Sequence, residues 1–460
     1  MIGIIGTFFA LALLIYLVYK GWGIIPVAFI ATFIVIVVNG NIADTFDILR
    51  YQFLGAPVVL EAGGYGAPSG LLGFISTNFF LLLSGAMFGT VMGESGAAKS
   101  IASFISKKLG AGNAILITII VTAILSAGGI SAFVCMFAVF PLVVHLFREA
   151  DIPRRYLVGA FNAGASTFTL GALPGMPTIH NLTPTEFLGT TAAAAPVMGV
   201  CVGAMIFIAC FAYLKLSSNK AKKRGEGFVI NHKTDDVHLN SGTDGSELPP
   251  FGLSILAPVL AVVFCFVVNA TIVADGLCTA NDGVSLVLAA ASLYCIIVFR
   301  KYIPNIKKAI ADGLFAGAGP LIITGSIVGF GSVVTNTYTY QYFMDVALNM
   351  SASPYFSTVI SVNILCGITG SAAGGLRIFM DSCAQHFLNL GLSPELFHRV
   401  ACLSCAGLDS LPHNGAIVTA YQVMGSNHKE SYVTTFICTV VITIAAAIVG
   451  ALIATVITGI

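Results

Sequence analysis

The chain has 460 residues, of which 57% are hydrophobic and 9% are charged, with a net charge of +1 and a mean hydropathy of +0.95. Soluble domains carry about 25% charged residues, so this composition excludes a protein whose surface lies mainly in water. It predicts an all-α polytopic protein with lipid as its main solvent. A net charge this small gives no indication of a nucleic-acid partner, and we expect none.

Apolar runs near both ends are long enough to cross a bilayer, which takes about 20 residues. The first, residues 4–19, has no charged segment before it and no clear small-residue cleavage site after it. We therefore interpret it as a retained helix and not as a signal peptide. Ten spans are predicted along the chain: 3–19, 22–39, 70–93, 156–190, 192–214, 251–270, 284–299, 310–337, 395–425 and 432–458.

The motifs of soluble enzymes are missing from the sequence. Most of the 11 cysteines lie inside apolar runs without the spacing of metal ligands, so we interpret them as small core residues. The sequence contains no GxxxxGK[ST] or HExxH pattern. We therefore expect that this chain has no cofactor and no ATP-hydrolysing domain.

One segment, residues 217–250, is charged and rich in turn-forming residues, as a soluble loop is. It divides the chain into two halves, 1–216 and 251–460. The basic residues of this segment place it in the cytoplasm by the positive-inside rule.

The two halves resemble each other when the sequence is shifted by 242 residues. The shift pairs Phe88-Gly89 with Phe330-Gly331 and Gly128 with Gly370. More telling than these matches is the order of features, which recurs over about 90 residues in each half. The sequence thus predicts two repeats of about five transmembrane helices.

Basic residues also give the orientation of a hairpin at 111–148, whose apolar sequence is broken near its middle by SAGGIS, 126–131. Lysines and arginines flank both of its ends: Lys107, Lys108, Arg148, Arg154 and Arg155. Both ends should therefore be cytoplasmic, which predicts a re-entrant hairpin with SAGGIS at its tip.

The equivalent hairpin of the second half is predicted at 354–389, with its tip at 367–375. It has no lysine or arginine close outside its ends, so these should face the opposite side. Five crossings per half, an odd number, turn the second repeat upside down. The prediction is a multi-pass plasma-membrane protein with inverted repeats, both termini non-cytoplasmic, as in secondary transporters.

Two predicted spans contain polar breaks at corresponding places. The helix 156–190 is interrupted around Leu173-Pro174, and the helix 395–425 around Leu411-Pro412. Proline and glycine free backbone groups that are costly in hydrocarbon unless they line a wet cavity or are buried in protein. Simple kinks are the alternative, but two broken helices and two hairpin tips in symmetric positions favour a binding site. Half-helix N-termini could hold an anion, and freed carbonyls a cation.

For each ionisable residue near these breaks, the sequence leaves more than one role open. Asp409 could carry a proton or help to bind Na⁺, or it could cap the following half-helix. His413 and His180 could bind substrate or relay protons, or be structural. Arg377 could pair with a substrate carboxylate or with Asp381, one turn further on.

The motifs GALPGMPTIHN…FLGTT (beginning at 171) and AGLDSLPHNGAIVTA…HKESY (406–432) resemble the gluconate permease (GntP) family of the ion-transporter superfamily. The closest branch is the one associated with 3-hydroxybutyrate and other short hydroxy acids. The resemblance implies proton- or cation-coupled uptake of small organic acids by a homodimer with a static scaffold and a moving unit. It also implies that the amphipathic pieces 96–108 and 338–350 join the two units.

The resemblance further implies which residues surround the substrate and the coupling ion. The predicted substrate-binding residues are Ser126, Gly128, Gly129, Ser131, Pro174, Thr178, Thr369, Gly370, Ser371, Arg377, His413 and Asn414. Asp409, Ser410 and Thr169 are predicted at the coupling-ion site, with a Na⁺ site near Asp409 as one form of it.

The function expected from the sequence is an elevator-type symporter of a small carboxylate such as 3-hydroxybutyrate, gluconate or a related hydroxy- or ketocarboxylate. A cation/proton antiporter would use the same breaks for cations only. From other classes, an integral membrane enzyme could use Asp409 and His413 as an acid–base pair, and a channel would conduct without saturating. We expect a transporter and not an enzyme.

Overall fold

The computed structural model describes the whole chain except residues 1, 59–65, 128–131, 177, 232–233, 236–247, 269–270, 273–276 and 349–352. The described residues form helices, turns and loops without a strand. The first half contains α1 (Ile2–Tyr19), α2 (Ile24–Val38), α3 (Gly70–Glu94), α4 (Ala97–Leu109), α5 (Ala114–Ala127), α6 (Ala132–Glu149), α7 (Leu157–Ala165), α8 (Ile179–Leu188) and α9 (Pro196–Lys223). A short helix, Thr45–Asp47, and a π-helical turn, Ile48–Phe53, lie between α2 and α3.

The second half has the same order of elements. It contains α10 (Phe251–Val268), α11 (Ala280–Val298), α12 (Ile306–Thr335), α13 (Tyr338–Leu348), α14 (Pro354–Thr369), α15 (Ala372–Asn389), α16 (Pro394–Ser404), α17 (Gly415–Val423), α18 (His428–Phe436) and α19 (Ile442–Thr458). A π-helical turn, Ile437–Val441, makes α18 and α19 one continuous rod.

Six described helices are long and apolar enough to cross a membrane, which confirms the predicted all-α polytopic class. They are Ile2–Tyr19, Gly70–Glu94, Pro196–Lys223, Asn281–Val298, Ile306–Thr335 and His428–Thr458. The predicted start of the linker at 217 is wrong, because α9 continues to Lys223. The residues Lys220, Lys222 and Lys223 favour this extension, since cations stabilise the negative end of a helix dipole.

Two long apolar helices, α3 of the first half and α12 of the second, pack along much of their length. Glycines make this close approach possible. A Cβ added to Gly317 would lie 2.7 Å from the Leu82 carbonyl oxygen, and one on Gly313 would lie 2.8 Å from the Cα of Met87. Small residues let helix backbones approach in the same way in other membrane proteins.

Helical hairpins occupy both predicted positions, α5 with α6 and α14 with α15. Their second arms contact the opposite half of the chain: α6 packs on α17, and α15 packs on α8. Each hairpin therefore touches the half-helix that follows the break of the other half. Their insertion into a membrane from opposite sides remains a prediction.

The described part of the linker docks on the start of the first broken helix. Arg154 is buried and forms an ion pair with Asp235, which is fully buried. Its guanidinium also donates to Val229 O at 3.2 Å and to Met424 O at 2.5 Å. Burial lowers the pKa of Arg154, and the Asp235 carboxylate acts in the opposite direction. Arg154 thus joins the linker to the end of α17.

Candidate functional site

The first break lies between α7 and α8 and contains the π-helical turn Phe168–Ala172. Thr178 begins the second half-helix: its Oγ1 accepts a hydrogen bond from Asn181 N at 3.3 Å and donates one to Leu170 O at 2.7 Å. Thr169 donates from Oγ1 to Gly164 O at 2.7 Å. Side chains thus satisfy part of the backbone that the break frees, as helix caps do.

The second break lies between α16 and α17 and contains the 3₁₀ turn Leu408–Ser410. Asn414 caps α17 by accepting from Ile417 N at 2.9 Å, and its amide donates to Gly370 O at the tip of the α14–α15 hairpin at 2.9 Å. His413 Nε2 lies 3.1 Å from Gly367 O. One side of this break is therefore fixed directly to a hairpin tip.

The second hairpin tip is built from a left-handed glycine and a helix cap. Gly370 has a φ of +59°, and a Cβ placed there would lie 3.2 Å from His413 Cδ2. Ser371 begins α15 by accepting from Gly374 N at 3.1 Å, while Thr369 Oγ1 donates to Leu365 O at 2.8 Å. The structure thus brings together the predicted residues of this tip and of the second break.

Asp409 lies in the 3₁₀ turn and is partly exposed. Its Oδ1 accepts a hydrogen bond from Ser410 Oγ at 3.0 Å, and Tyr432 OH donates to Ser410 O at 3.2 Å. Asn363 Oδ1 holds the turn by accepting from Leu408 N at 3.0 Å. The ion pairs formed by the described residues do not include Asp409. A carboxylate in such a place is a candidate carrier of a proton or a cation.

The first hairpin tip is described only in part. Ser126 is buried and donates from Oγ to Ala165 O at 3.1 Å, so it contacts the first break. The predicted residues Gly128, Gly129 and Ser131 lie outside the described residues. Gly164 allows the close fit between this hairpin and the broken helix, because a Cβ there would lie 2.2 Å from Ile119 O.

Arg377 pairs with an acidic residue of another helix. Its Nη1 lies 3.0 Å from Glu186 Oε2, and the two side chains are 59% and 56% exposed. Of the two alternatives that the sequence left open, Asp381 is therefore not the ion-pair partner, and a substrate carboxylate stays a prediction. The reason is long-range: α15 packs on α8, which carries Glu186, and sequence spacing cannot show this.

Arg399 is the site residue that the sequence reasoning missed. It lies in α16, is fully buried, and donates to oxygens on both sides of the first break, Gly171 O at 2.7 Å and Asn181 Oδ1 at 2.8 Å. A basic residue inside a predicted span was the available signal, since such residues are costly in lipid and mark functional or structural sites.

Three histidines near the breaks have a buried ring nitrogen without a hydrogen-bond partner among the described residues: His180 Nδ1, His398 Nε2 and His413 Nδ1. Their other nitrogens differ, because His398 Nδ1 lies 2.7 Å from Thr190 Oγ1 and His413 bonds to the hairpin tip. Among the described residues, no three histidine, cysteine or acidic side chains are grouped so that they could hold a metal ion. A Na⁺ site near Asp409 would use backbone oxygens and so remains a prediction.

A cavity of about 330 Å³ lies between α3, α6 and α12, near the end of α17. Its polar lining comes from Thr90, Asp312, Gln422 and Thr234 of the linker. The predicted substrate residues that the structure describes do not line this cavity.

The citrate transporter family, CitMHS, matches residues 48–368, which is well over half of the chain. The protein therefore belongs to this family of the ion-transporter superfamily. It is 28% identical over 456 residues to the uncharacterized transporter YxjC of Bacillus subtilis (strain 168), covering 93% of both chains. It is 22% identical over 343 residues to an uncharacterized transporter of Haemophilus influenzae, covering 74% of this chain and 75% of the relative.

A solved structure of Neisseria gonorrhoeae MtrF, described as illuminating a class of antimetabolite efflux pumps, covers 91% of this chain and 85% of its own. The identity between the two chains is 12%, and the TM-score is 0.37. The family and the two relatives are transporters, which agrees with the expectation of a transporter.

Proposed function

We propose that the protein is a secondary active transporter that takes up a small organic acid anion together with H⁺ or Na⁺. The main observation in support is that a broken helix is bonded to a hairpin tip: Asn414 Nδ2 donates a hydrogen bond to Gly370 O at 2.9 Å. Such broken elements, placed where protein covers them, are the usual binding sites of secondary transporters.

The substrate class is a small hydroxy- or ketocarboxylate. The family is described as citrate transporters, so citrate joins 3-hydroxybutyrate and gluconate as a candidate. The GntP-like branch, with its short hydroxy acids, remains our proposal from the two break motifs. Carboxylates suit a site built from half-helix N-termini and side-chain hydroxyls.

The transport cycle is of the elevator type, with α3 and α12 in the static part and the hairpins and broken helices in the moving part. The hairpin arms contact the half-helices of the opposite repeat, which supports their movement as one unit. The two halves are inverted repeats, α4 and α13 are the horizontal arms, and the protein works as a homodimer in the plasma membrane with both termini outside the cytoplasm.

The test is uptake by the full-length protein in sealed proteoliposomes, with 3-hydroxybutyrate, gluconate and citrate driven separately by H⁺ and Na⁺ gradients. Saturable accumulation that an ionophore collapses supports a coupled carboxylate transporter. Exchange of Na⁺ for H⁺ without carboxylate uptake would identify an antiporter instead. If no carboxylate enters under either gradient, the proposed function is wrong.

A further inference from the structure

Arg399 is surrounded by neutral oxygens. Its guanidinium group donates five hydrogen bonds. Nε donates to Ala194 O at 3.0 Å, and Nη1 donates to Gly171 O at 2.7 Å and to Asn181 Oδ1 at 2.8 Å. Nη2 donates to Ala192 O at 3.1 Å and to Ala194 O at 2.8 Å. An arginine side chain has five N–H donors. Its hydrogen-bonding capacity is therefore filled without any carboxylate.

The positive charge of Arg399 has no close counter-ion among the described ion pairs. Glu395, one turn earlier on α16, is exposed and accepts a hydrogen bond from Ala195 N at 3.0 Å. Water screens an exposed carboxylate strongly. Carbonyl oxygens satisfy the N–H groups but do not remove the net charge, so a positive potential remains in the protein interior around Arg399.

This charge lies directly behind the first break. The two oxygens bound by Nη1 belong to Gly171 and Asn181, which precede and follow the Leu173-Pro174 pair. A Cβ on Gly199 would lie 3.2 Å from Pro174 Cδ and 3.3 Å from Arg399 Nε, so the proline and the guanidinium are near neighbours.

Arg154 shows that holding a broken helix does not require an unbalanced charge. It too is buried and binds carbonyls of the other half, at Met424 and Gly425, but its charge is matched by the buried Asp235. Burying a charge without its counter-ion is costly. The unbalanced charge of Arg399 therefore calls for another explanation than anchoring.

We propose that Arg399 determines the preference of the transporter for anions and that the first break receives the substrate carboxylate. The arginine stabilises the bound carboxylate through the electric field and does not touch it. This inference rests on the proposed function. It adds that the first break binds the carboxylate and that Arg399 makes the site prefer an anion. In a low-dielectric interior a unit charge acts over several ångströms, which makes this effect large.

The experiment compares an acid with its neutral amide, 3-hydroxybutyrate with 3-hydroxybutyramide, as competitors of carboxylate uptake by the full-length protein in proteoliposomes. If the wild type takes up only gluconate or citrate, that acid and its amide are used in place of 3-hydroxybutyrate and 3-hydroxybutyramide. Arg399→Gln should weaken the binding of the acid about tenfold or more and the binding of the amide less than about twofold. Arg399→Lys, which keeps the charge, should retain most of the preference for the acid.

The matched control is the double variant Arg154→Gln/Asp235→Asn, which removes a buried arginine together with its counter-ion. It should lower stability and leave the acid-to-amide ratio unchanged. An unchanged ratio in Arg399→Gln, with uptake intact in the wild type, would overturn this inference alone. Absence of carboxylate uptake by the wild type would instead remove the proposed function and this inference with it.

A second pair of variants covers the case in which Arg399→Gln does not fold or the amide does not bind. Asn181→Asp places a carboxylate on the guanidinium and cancels its charge, while Asn181→Leu loses the same amide donors without adding charge. The acid should bind about tenfold more weakly to Asn181→Asp than to Asn181→Leu. Equal affinities of the two variants would contradict the proposal.

Discussion

The two broken helices are held in different ways although their sequences look alike. The first break is spanned by Arg399, which comes from the other half and is absent from the ion pairs of the described residues. The second is fixed to a hairpin tip of its own half through Asn414 and carries the carboxylate of Asp409. A buried arginine thus lies at the first break and a carboxyl group at the second. This difference teaches that a repeated backbone pattern can carry different ionisable side chains, and we propose that the first break serves the substrate anion and the second the coupling cation.

The largest expected effect comes from the charge of the second break. Asp409→Asn should reduce coupled uptake in proteoliposomes to that of empty vesicles, because the amide cannot carry a proton and attracts a cation weakly. Asp381→Asn, which changes an exposed carboxylate on α15, is the control and should keep wild-type uptake. Unchanged dependence on H⁺ and Na⁺ in Asp409→Asn would remove its coupling role.

The counter-ion of Arg154 gives the next largest effect, on stability. Asp235→Ala leaves a buried arginine unpaired, so the free energy of unfolding in detergent should fall by about 3–5 kcal/mol. The control, Glu226→Ala, breaks the ion pair with Arg155, whose side chain is one-third exposed, and should cost about 0–1 kcal/mol. Equal losses in the two variants would show that the linker does not dock as described.

The caps of the two half-helices provide a smaller and direct comparison. Asn414→Ala should cost about 2–3 kcal/mol, because it removes a cap and leaves Gly370 O buried without its donor. Thr178→Ala should cost about 1 kcal/mol, since Thr178 is partly exposed and water can replace its hydroxyl. Thermal or denaturant unfolding of both variants measures the two losses of stability. A larger loss in Thr178→Ala than in Asn414→Ala would contradict the claim that the second break is held more tightly.

The smallest effect compares two left-handed glycines. Gly370→Ala and Gly175→Ala share the strain of a positive φ, at +59° and +76°. Only at Gly370 does the added Cβ meet neighbours, His413 and Ile327, at 3.2 Å; at Gly175 it meets open space. The variant at Gly370 should therefore lose about 1 kcal/mol more in an unfolding titration. A difference near zero would mean that the tip can move away from the break.

Much of the local architecture follows from neighbouring residues in the chain. Apolar runs predict the helices, and the Leu173-Pro174 and Leu411-Pro412 pairs mark where two helices are interrupted. The structure has helix ends and tight turns at both places. Proline, glycine and capping side chains act on their own backbone, so their effect can be predicted without knowing the fold.

Partners of long side chains could not be predicted in the same way. Arg377 has Asp381 one turn away but pairs with Glu186, which is 191 positions distant. The end of α9 also exceeds the prediction, because a charged sequence at 217–223 reads as a loop although its lysines suit a helix end. Sequence spacing measures distance along one helix and says nothing about the helix packed against it.

The sequence by itself determined that this protein lies in a membrane, is helical, and has its polarity gathered at two interrupted helices. Those properties follow from hydropathy and from residues that act on the adjoining backbone. Only the tertiary structure decided that Arg399 crosses to the first break while Asp409 stays at the second. A side chain meets its partner where distant segments pack together, and in this protein that packing gives two similar breaks different ionisable side chains.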